Sequence, residues 1–389
     1  LPMGRPMGTE ESIRRGHTCS LDARVAAREF HAAVAHDDMA LVLFFCSSTY
    51  DLDALAVEMG TLFGNTPVVG CTTAGEIGPA GYRQDTLTGL SFSSNDFTCI
   101  AGCLDDLEHF EMRRGQAFVE DLLMRLLQKL PDSAERQNFA FQMIDGLSVR
   151  EEPVTRVFQH ALGSIPLVGG SAGDGLEFKQ TRIYFDGRFR QNAAVLVLVS
   201  TLLPVRAFKT QHFSADQQRV VVTAADAVHR VVAEIDGRPA AEAYAALTGV
   251  SRDNLDPQRF ASAPMLVLIG GEGYVRSISN VDDRGALHFF CAIDEGMVLR
   301  LAKRGDLLDS LQRSFEAVAA EVGSPQLILG CDCVLRRVEV LNDGLVEAVS
   351  ALMARHNVVG FATYGEQFHG VHVNQTFTGI AIGRSSAVE

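Results

Sequence analysis

Apolar runs and amphipathic stretches alternate along the chain in a repeating order: strand, helix, strand, glycine-rich corner. Ala40–Cys46 is an unbroken apolar run of strand length. Leu52–Phe63 has helical spacing and is closed by Gly64-Asn65, and Pro67–Gly70 predicts the next strand. Leu87–Ser93 and Thr98–Leu104 predict a strand pair. The plan restarts after a long helix expected over Arg114–Leu130 and a Pro131-Asp132-Ser133 break. Its second pass has a strand at Phe139–Ile144, a helix at Glu152–Leu162, a strand at Ile165–Val168 and a buried strand at Ala193–Ser200. Residues of about 38–200 therefore read as an internal duplication, 38–110 and 138–200, packed as one domain.

Beyond Pro204 the spacing predicts helices over Ala227–Ile235, Ala240–Leu247 and Leu307–Glu321, with buried strands at Met265–Gly270 and Leu287–Cys291. A third pass follows: strand Gln326–Gly330, helix Gly344–Arg355, strand Asn357–Gly360 and a closing strand Phe377–Ile382. The expected fold is α/β, two domains with mixed sheets built from these units. Residues 1–20 are expected to be a flexible arm, 21–204 the first domain and 205–389 the second.

Each strand delivers a similar corner. Val68-Val69-Gly70-Cys71-Thr72-Thr73-Ala74-Gly75-Glu76 is the first, and Leu167-Val168-Gly169-Gly170-Ser171-Ala172-Gly173-Asp174 the second. Val358-Val359-Gly360-Phe361-Ala362-Thr363-Tyr364-Gly365-Glu366 is the third. Gly70, Thr72, Gly75, Glu76, Gly170, Ser171, Gly173 and Asp174 are candidate ligand contacts, because small residues let backbone N–H groups approach a ligand. The second corner lacks the Lys-Ser/Thr of a phosphate loop, and Asp174 would repel phosphate. A tight structural turn is the plain alternative.

Composition narrows the function. The 389 residues are 47% hydrophobic and carry a net charge of −14 with no long basic run, which argues against nucleic acid and anionic membrane as partners. No apolar stretch reaches membrane-spanning length, and no secretory leader pattern opens the chain, so a cytoplasmic location is expected. The eight cysteines are expected to be reduced. Cys71 sits at an elbow-like position but has no neighbouring histidine to activate it. Cys331-Asp332-Cys333 offers two thiols for zinc or a redox pair, against buried structural thiols, and lacks a second pair to complete a zinc set. No nucleophile–base or paired-acid arrangement emerges, so an enzyme is not expected.

Most of the eleven histidines fall on polar faces, and His288 lies in a strand. His369 and His372 follow Gly365-Glu366 and have Phe361, Tyr364, Phe368 and Phe377 near them in sequence. A neutral imidazole on an apolar face is what haem iron uses; two exposed loop histidines are the alternative.

The two earlier corners, Ile235-Asp236-Gly237-Arg238-Pro239-Ala240, and Tyr364-Gly365-Glu366 through Asn374-Gln375-Thr376 resemble motifs of the FIST N-terminal and C-terminal domains, in that order. The likeness spans residues of about 25–385. It implies a sensory, signal-transducing protein that binds a small ligand. With Cys-Asp-Cys-Val-Leu-Arg-Arg and His-Val-Asn-Gln-Thr, the chain looks like the bacterial nitric oxide sensing proteins. Those bind haem b and regulate a separate histidine kinase, often one tied to cyclic-di-GMP and biofilm control. The resemblance puts the haem iron on His372 first, then His369 and His288, with Tyr364, Glu366, Phe361 and Asn374 around it. A sensor of another small ligand such as an amino acid, and a thiol or zinc redox sensor using Cys331 and Cys333, are the alternatives. Self-association is left open.

Overall fold

In the computed structural model, which describes residues 12–130 and 135–384, the strand–helix–strand–corner pass occurs three times. The first comprises β1 (Ile13–Thr18), α1 (Ala23–Val34), β2 (Met39–Ser47), α2 (Leu52–Phe63), β3 (Val68–Thr73), β4 (Glu76–Gly78), β5 (Gly81–Arg83) and β6 (Leu87–Ser93). The second comprises β7 (Phe97–Leu104), α3 (Met112–Lys129), β8 (Gln137–Ile144), α4 (Glu151–Leu162), β9 (Leu167–Ser171), β10 (Ile183–Phe185), β11 (Arg188–Arg190) and β12 (Ala194–Thr201).

The third begins with β13 (Val205–Thr210) and is interrupted by a unit of its own. That unit holds β14 (Phe213–Asp226), β15 (Val231–Ile235), β16 (Arg238–Pro239), α5 (Ala240–Thr248), α6 (Pro257–Ser262), β17 (Met265–Ile269), β18 (Glu272–Arg276), β19 (Ile278–Val281), β20 (Leu287–Phe289) and β21 (Val298–Arg304). The third pass resumes with α7 (Leu307–Val322), β22 (Leu327–Cys333), α8 (Val334–Asn342), α9 (Val346–Arg355), β23 (Val358–Thr363), β24 (Glu366–Phe368), β25 (Val371–Val373) and β26 (Phe377–Ile382).

The three sheets run β1-β6-β2-β3-β10-β11, β7-β12-β8-β9-β24-β25 and β13-β26-β22-β23-β4-β5. Each is mixed, with one parallel pair (β2/β3, β8/β9, β22/β23) among antiparallel neighbours. Every corner ends in a hairpin that leaves its own sheet and completes another. The first repeat's hairpin joins the third sheet, the second's joins the first, and the third's joins the second. The exchange is cyclic, so no repeat is complete alone. Backbone bonds between corners lock it: Ala74 N–H donates to Ala362 O at 2.9 Å, Ala362 N–H to Gly75 O at 2.7 Å, and Ser171 N–H to Gly365 O at 2.8 Å.

The inner faces of all three sheets share one core. Phe45 stacks on Phe361 at 4.7 Å and meets Phe141 edge-on at 6.3 Å. Leu43, Val197, Leu329 and Ile380 pack in the same cluster. The expected boundary at 204 therefore divides a single core, and the separate unit is the insertion at 213–304. This has its own core of Val222, Val232, Tyr244, Phe260 and Leu299. Both of its connections pass one point, where Gly305 N–H donates to His212 O at 2.7 Å.

Two local expectations change. Of the supposed arm, Ile13–Thr18 pairs along its whole length with β6, while residues 1–11 and the Pro131-Asp132-Ser133 break lie outside the described residues. The helix expected over Ala227–Ile235 is a turn followed by β15, which pairs with β14 and β20. Among the described residues no helix is long and apolar enough to cross a membrane.

Candidate functional site

Each sheet carries the same row of four residues, running from its central strand through the corner glycine to the borrowed hairpin. In the first sheet the row is Phe44, Gly70, Tyr184 and Phe189. In the third it is Gly330, Gly360, Ile77 and Tyr82. In the second it is Gln142, Gly169, Gln367 and His372. Glycine is required at the second position, since a Cβ on Gly169 would come 2.2 Å from Gln142 O and one on Gly360 1.7 Å from Gly330 O. Only the second row carries amide and imidazole side chains, and they are buried: Gln142, Gln367 and His372 are 0, 0 and 2% exposed.

Burying such groups is costly unless they are paired. Gln142 Nε2 donates to Thr155 Oγ1 at 3.0 Å, and Gln367 Nε2 donates to Ser171 Oγ at 3.0 Å and lies 3.2 Å from His372 Nδ1. Gln142 Oε1, Gln367 Oε1, His372 Nε2 and Asn374 Oδ1 have no hydrogen-bond partner among the described residues. Burial lowers the His372 pKa below the usual imidazole value, against the pull of Glu152 and Glu151.

The inserted unit seals this row. Arg230 Nη2 lies 2.6 Å from Glu151 Oε2 and 2.5 Å from Glu152 Oε2, and its Nη1 donates to Phe290 O at 2.8 Å. Glu152 Oε1 accepts from Ala292 N–H at 2.6 Å. Burial works to raise the Glu152 pKa, but His372, Arg230 and that N–H together hold it below the usual value. Ser277 Oγ donates to Gln375 Oε1 at 2.8 Å, and Gln375 Nε2 to Ala261 O at 2.7 Å. Among the described residues Arg276, 6% exposed, reaches only carbonyls, Val275 O at 3.3 Å and His372 O at 3.5 Å, and its Nε is unpartnered.

One residue before Glu151 and before Arg230, at Arg150 and His229, the seam borders a cavity of about 610 Å³, whose lining also includes Asp145, Lys179, Thr181 and Asn192. It lies at the carboxyl ends of the parallel pair β8/β9, where open α/β sheets bind ligands. Its wall includes Val149, a β-branched residue held at φ +54°, the kind of backbone strain that collects at binding sites.

A family model of the FIST N domain matches residues 40–238, just over half of the chain, and one of the FIST C domain matches 240–369. The chain belongs to the FIST family. FIST domains are sensory domains of signal transduction. None of the proteins with curated descriptions matches this FIST protein. The two family segments meet at residue 239, inside the inserted unit and not at 204.

The corner residues of the FIST protein serve the exchange of hairpins. Glu76 and Glu366 are equivalent buried carboxyls. Thr73 Oγ1 lies 2.5 Å from Glu76 Oε1, as Thr363 Oγ1 does from Glu366 Oε1. Thr86 and Thr376 each donate hydroxyl and backbone N–H to the other oxygen. Burial pushes Glu76 up to about 7 and Glu366 up to about 8. Asp174 receives backbone N–H groups from Phe178, Lys179 and Gln180 and the Tyr364 hydroxyl. Thr72 Oγ1 accepts from Arg182 N–H at 2.9 Å. Gly70 packs on Phe44, Gly170 on Thr363 and Phe361, Gly173 on Ala74, and Gly75 on Arg337. Of the eight expected ligand contacts, only Ser171 touches the polar row.

The aromatic pocket expected around His372 does not assemble. Phe361 lies in the central core, Tyr364 stacks on Phe178 at 4.2 Å, and Phe377 packs with Phe208 and Phe315. His369 occupies the hairpin tip, edge-on to Phe368 at 4.2 Å, and His288 is half-buried 3.5 Å from Asp282. The His372 ring lies against Gly365, where a Cβ would come 2.3 Å from Cε1 and 2.6 Å from Nε2. A haem needs an open slot on that side, so these residues fit an imidazole ligand but not the macrocycle. Cys331 and Cys333 are buried with raised thiol pKa values, and among the described residues no group of three or more His, Cys, Asp or Glu could hold a metal ion.

Sequence reasoning missed Gln142, Glu151, Glu152, Arg230 and Arg276. Gln142 alone left a signal, as the one amide inside the buried run Phe139-Ala140-Phe141-Gln142-Met143-Ile144.

Proposed function

We propose that this FIST protein senses a small polar molecule at the seam between its second sheet and the inserted unit, with His372, Gln367 and Gln142 as reading groups. The observation that carries this is the asymmetry of the rows. Three equivalent positions share one architecture, and only one was filled with polar side chains whose buried atoms lack partners. The ligand enters from the 610 Å³ cavity, satisfies those atoms and changes how the inserted unit leans on the core.

The test is thermal unfolding of the full chain against a panel of amino acids and other small polar metabolites. At least one class should raise the midpoint of the wild type, with no effect on Gln142→Leu/Gln367→Leu, which copies an apolar row. A ligand-induced rise that survives in that folded double variant rules the site out.

A second reading follows from the unpartnered Nε2 of His372. It is a sensor that binds haem b, responds to nitric oxide and signals to a separate histidine kinase. Here His372 would hold the iron after the Gln367 amide turned to accept from Nδ1–H, and bound haem would supply the nitric oxide site. The closed seam opposes this reading. A Soret band on titration with haem, lost in His372→Ala, would favour it; an identical band in that variant would exclude His372.

A further inference from the structure

The three repeats set equivalent helices beside equivalent hairpin tips, and one of these places is empty. Ten residues before the corner glycines Gly70, Gly169 and Gly360 stand Gly60, Gln159 and Ser350. Gln159 fills its place: its Nε2 donates to Gly163 O at 3.0 Å and Ile165 O at 2.9 Å, and its Oε1 accepts from Leu167 N–H at 3.1 Å. It also abuts the tip at Gly370, where a Cβ would come 3.1 Å from Gln159 Cβ. Ser350 likewise accepts from Tyr82 N–H at 3.0 Å and abuts Gly81.

At Gly60 a Cβ would meet nothing within 4 Å. Glycine inside a helix is less stable than alanine, and here no close contact demands it. Beside it opens a cavity of about 500 Å³ between α2, α3 and the β10–β11 hairpin, within the size range of small-molecule sites. Its floor includes the buried Phe63, Val69 and Ile100. Arg125 and Lys129, one turn apart on α3, also line it, in a chain whose net charge is −14. Asp186 is the one acid among the lining residues, and Arg125 also reaches Asp121 at 3.5 Å.

We infer that this cavity is a second binding site, for a small amphipathic organic anion: an apolar ring or branched chain against the floor and an acidic group at Arg125 and Lys129. It is independent of His372.

The test uses the full chain and 8-anilinonaphthalene-1-sulfonate followed by fluorescence. Binding should saturate at one equivalent, weaken at least about tenfold in Gly60→Gln and in Arg125→Glu/Lys129→Glu, and stay unchanged in His372→Ala. N-phenyl-1-naphthylamine, which lacks the sulfonate, should bind at least about tenfold more weakly. Gly60→Ala should raise the unfolding midpoint by about 2 °C. Unsaturable binding, or equal affinity in a folded Gly60→Gln, overturns the site. Equal affinity for the neutral probe or in the charge-reversed variant overturns the anionic class. Since Arg125 and Lys129 are exposed, that variant keeps the test decisive if Gly60→Gln does not fold.

Discussion

Arg230→Met should lower the unfolding free energy by about 3–5 kcal/mol, because it strands one buried and one partly buried carboxylate. Glu151 is 2% exposed, and Arg230 is the cation at ion-pair distance from both Glu151 and Glu152 among the described residues. Restoring neutrality with Glu151→Gln/Glu152→Gln should recover part of the loss, since neutral amides cost less to leave without a charged partner. Urea unfolding followed by circular dichroism measures both. Arg230 also joins the inserted unit to α4, so the variant should unfold in two steps, the 213–304 unit separating from the three-sheet core. A loss below about 1 kcal/mol in a single transition would show that the seam is held by other contacts.

Glu366→Gln should be roughly 4 kcal/mol more stable than the wild type at pH 8 and within about 1 kcal/mol of it at pH 5. Burial raises the Glu366 pKa from 4.5 to about 8, so the folded protein holds a proton that the unfolded chain releases near pH 4.5. This carboxyl's contribution is fully present below about pH 4.5 and is lost as the pH rises towards 8. Each pH unit in that window removes up to about 1.4 kcal/mol per site. Glutamine keeps the contacts of the protonated acid to Thr363 and Thr376 and carries no charge to bury. Other carboxyls in the molecule titrate in the opposite sense, so the difference between variant and wild type is what should be read. Glu76→Gln should behave alike over a narrower window, as its value rises only to about 7. Parallel stability curves for Glu366→Gln and the wild type would show that the buried carboxyl is ionised across the range.

These two predictions concern different parts of the molecule, and they were legible to different degrees. Helix α2 was evident to the residue, because Asp51 caps it, apolar positions recur every three or four, and Gly64 ends it. The Gly-Glu ending of two corners was also visible, although not that each glutamate would be buried against two threonines. Ala227–Ile235 was misleading for a clear reason. Ala227, Val228, Val231, Val232 and Ile235 have helical spacing, but pairing with β14 and β20 satisfies that backbone as a strand. The place of the boundary between the two domains was hidden on similar grounds. An insertion splits the third repeat in sequence without splitting the core it shares in space.

What the chain's pattern determined alone was the repeated unit: strand, helix, strand and Gly-rich corner, with period and caps set by contacts a few residues apart. It also marked His372 as unlike its counterparts. Only the tertiary structure decided that the hairpins exchange cyclically, because their partners lie more than 90 residues away. The same holds for the candidate site. Gln142, Gln367, His372, Glu152 and Arg230 come from three separate segments, and their burial, missing partners and shared charge exist only once the insertion closes over the second sheet.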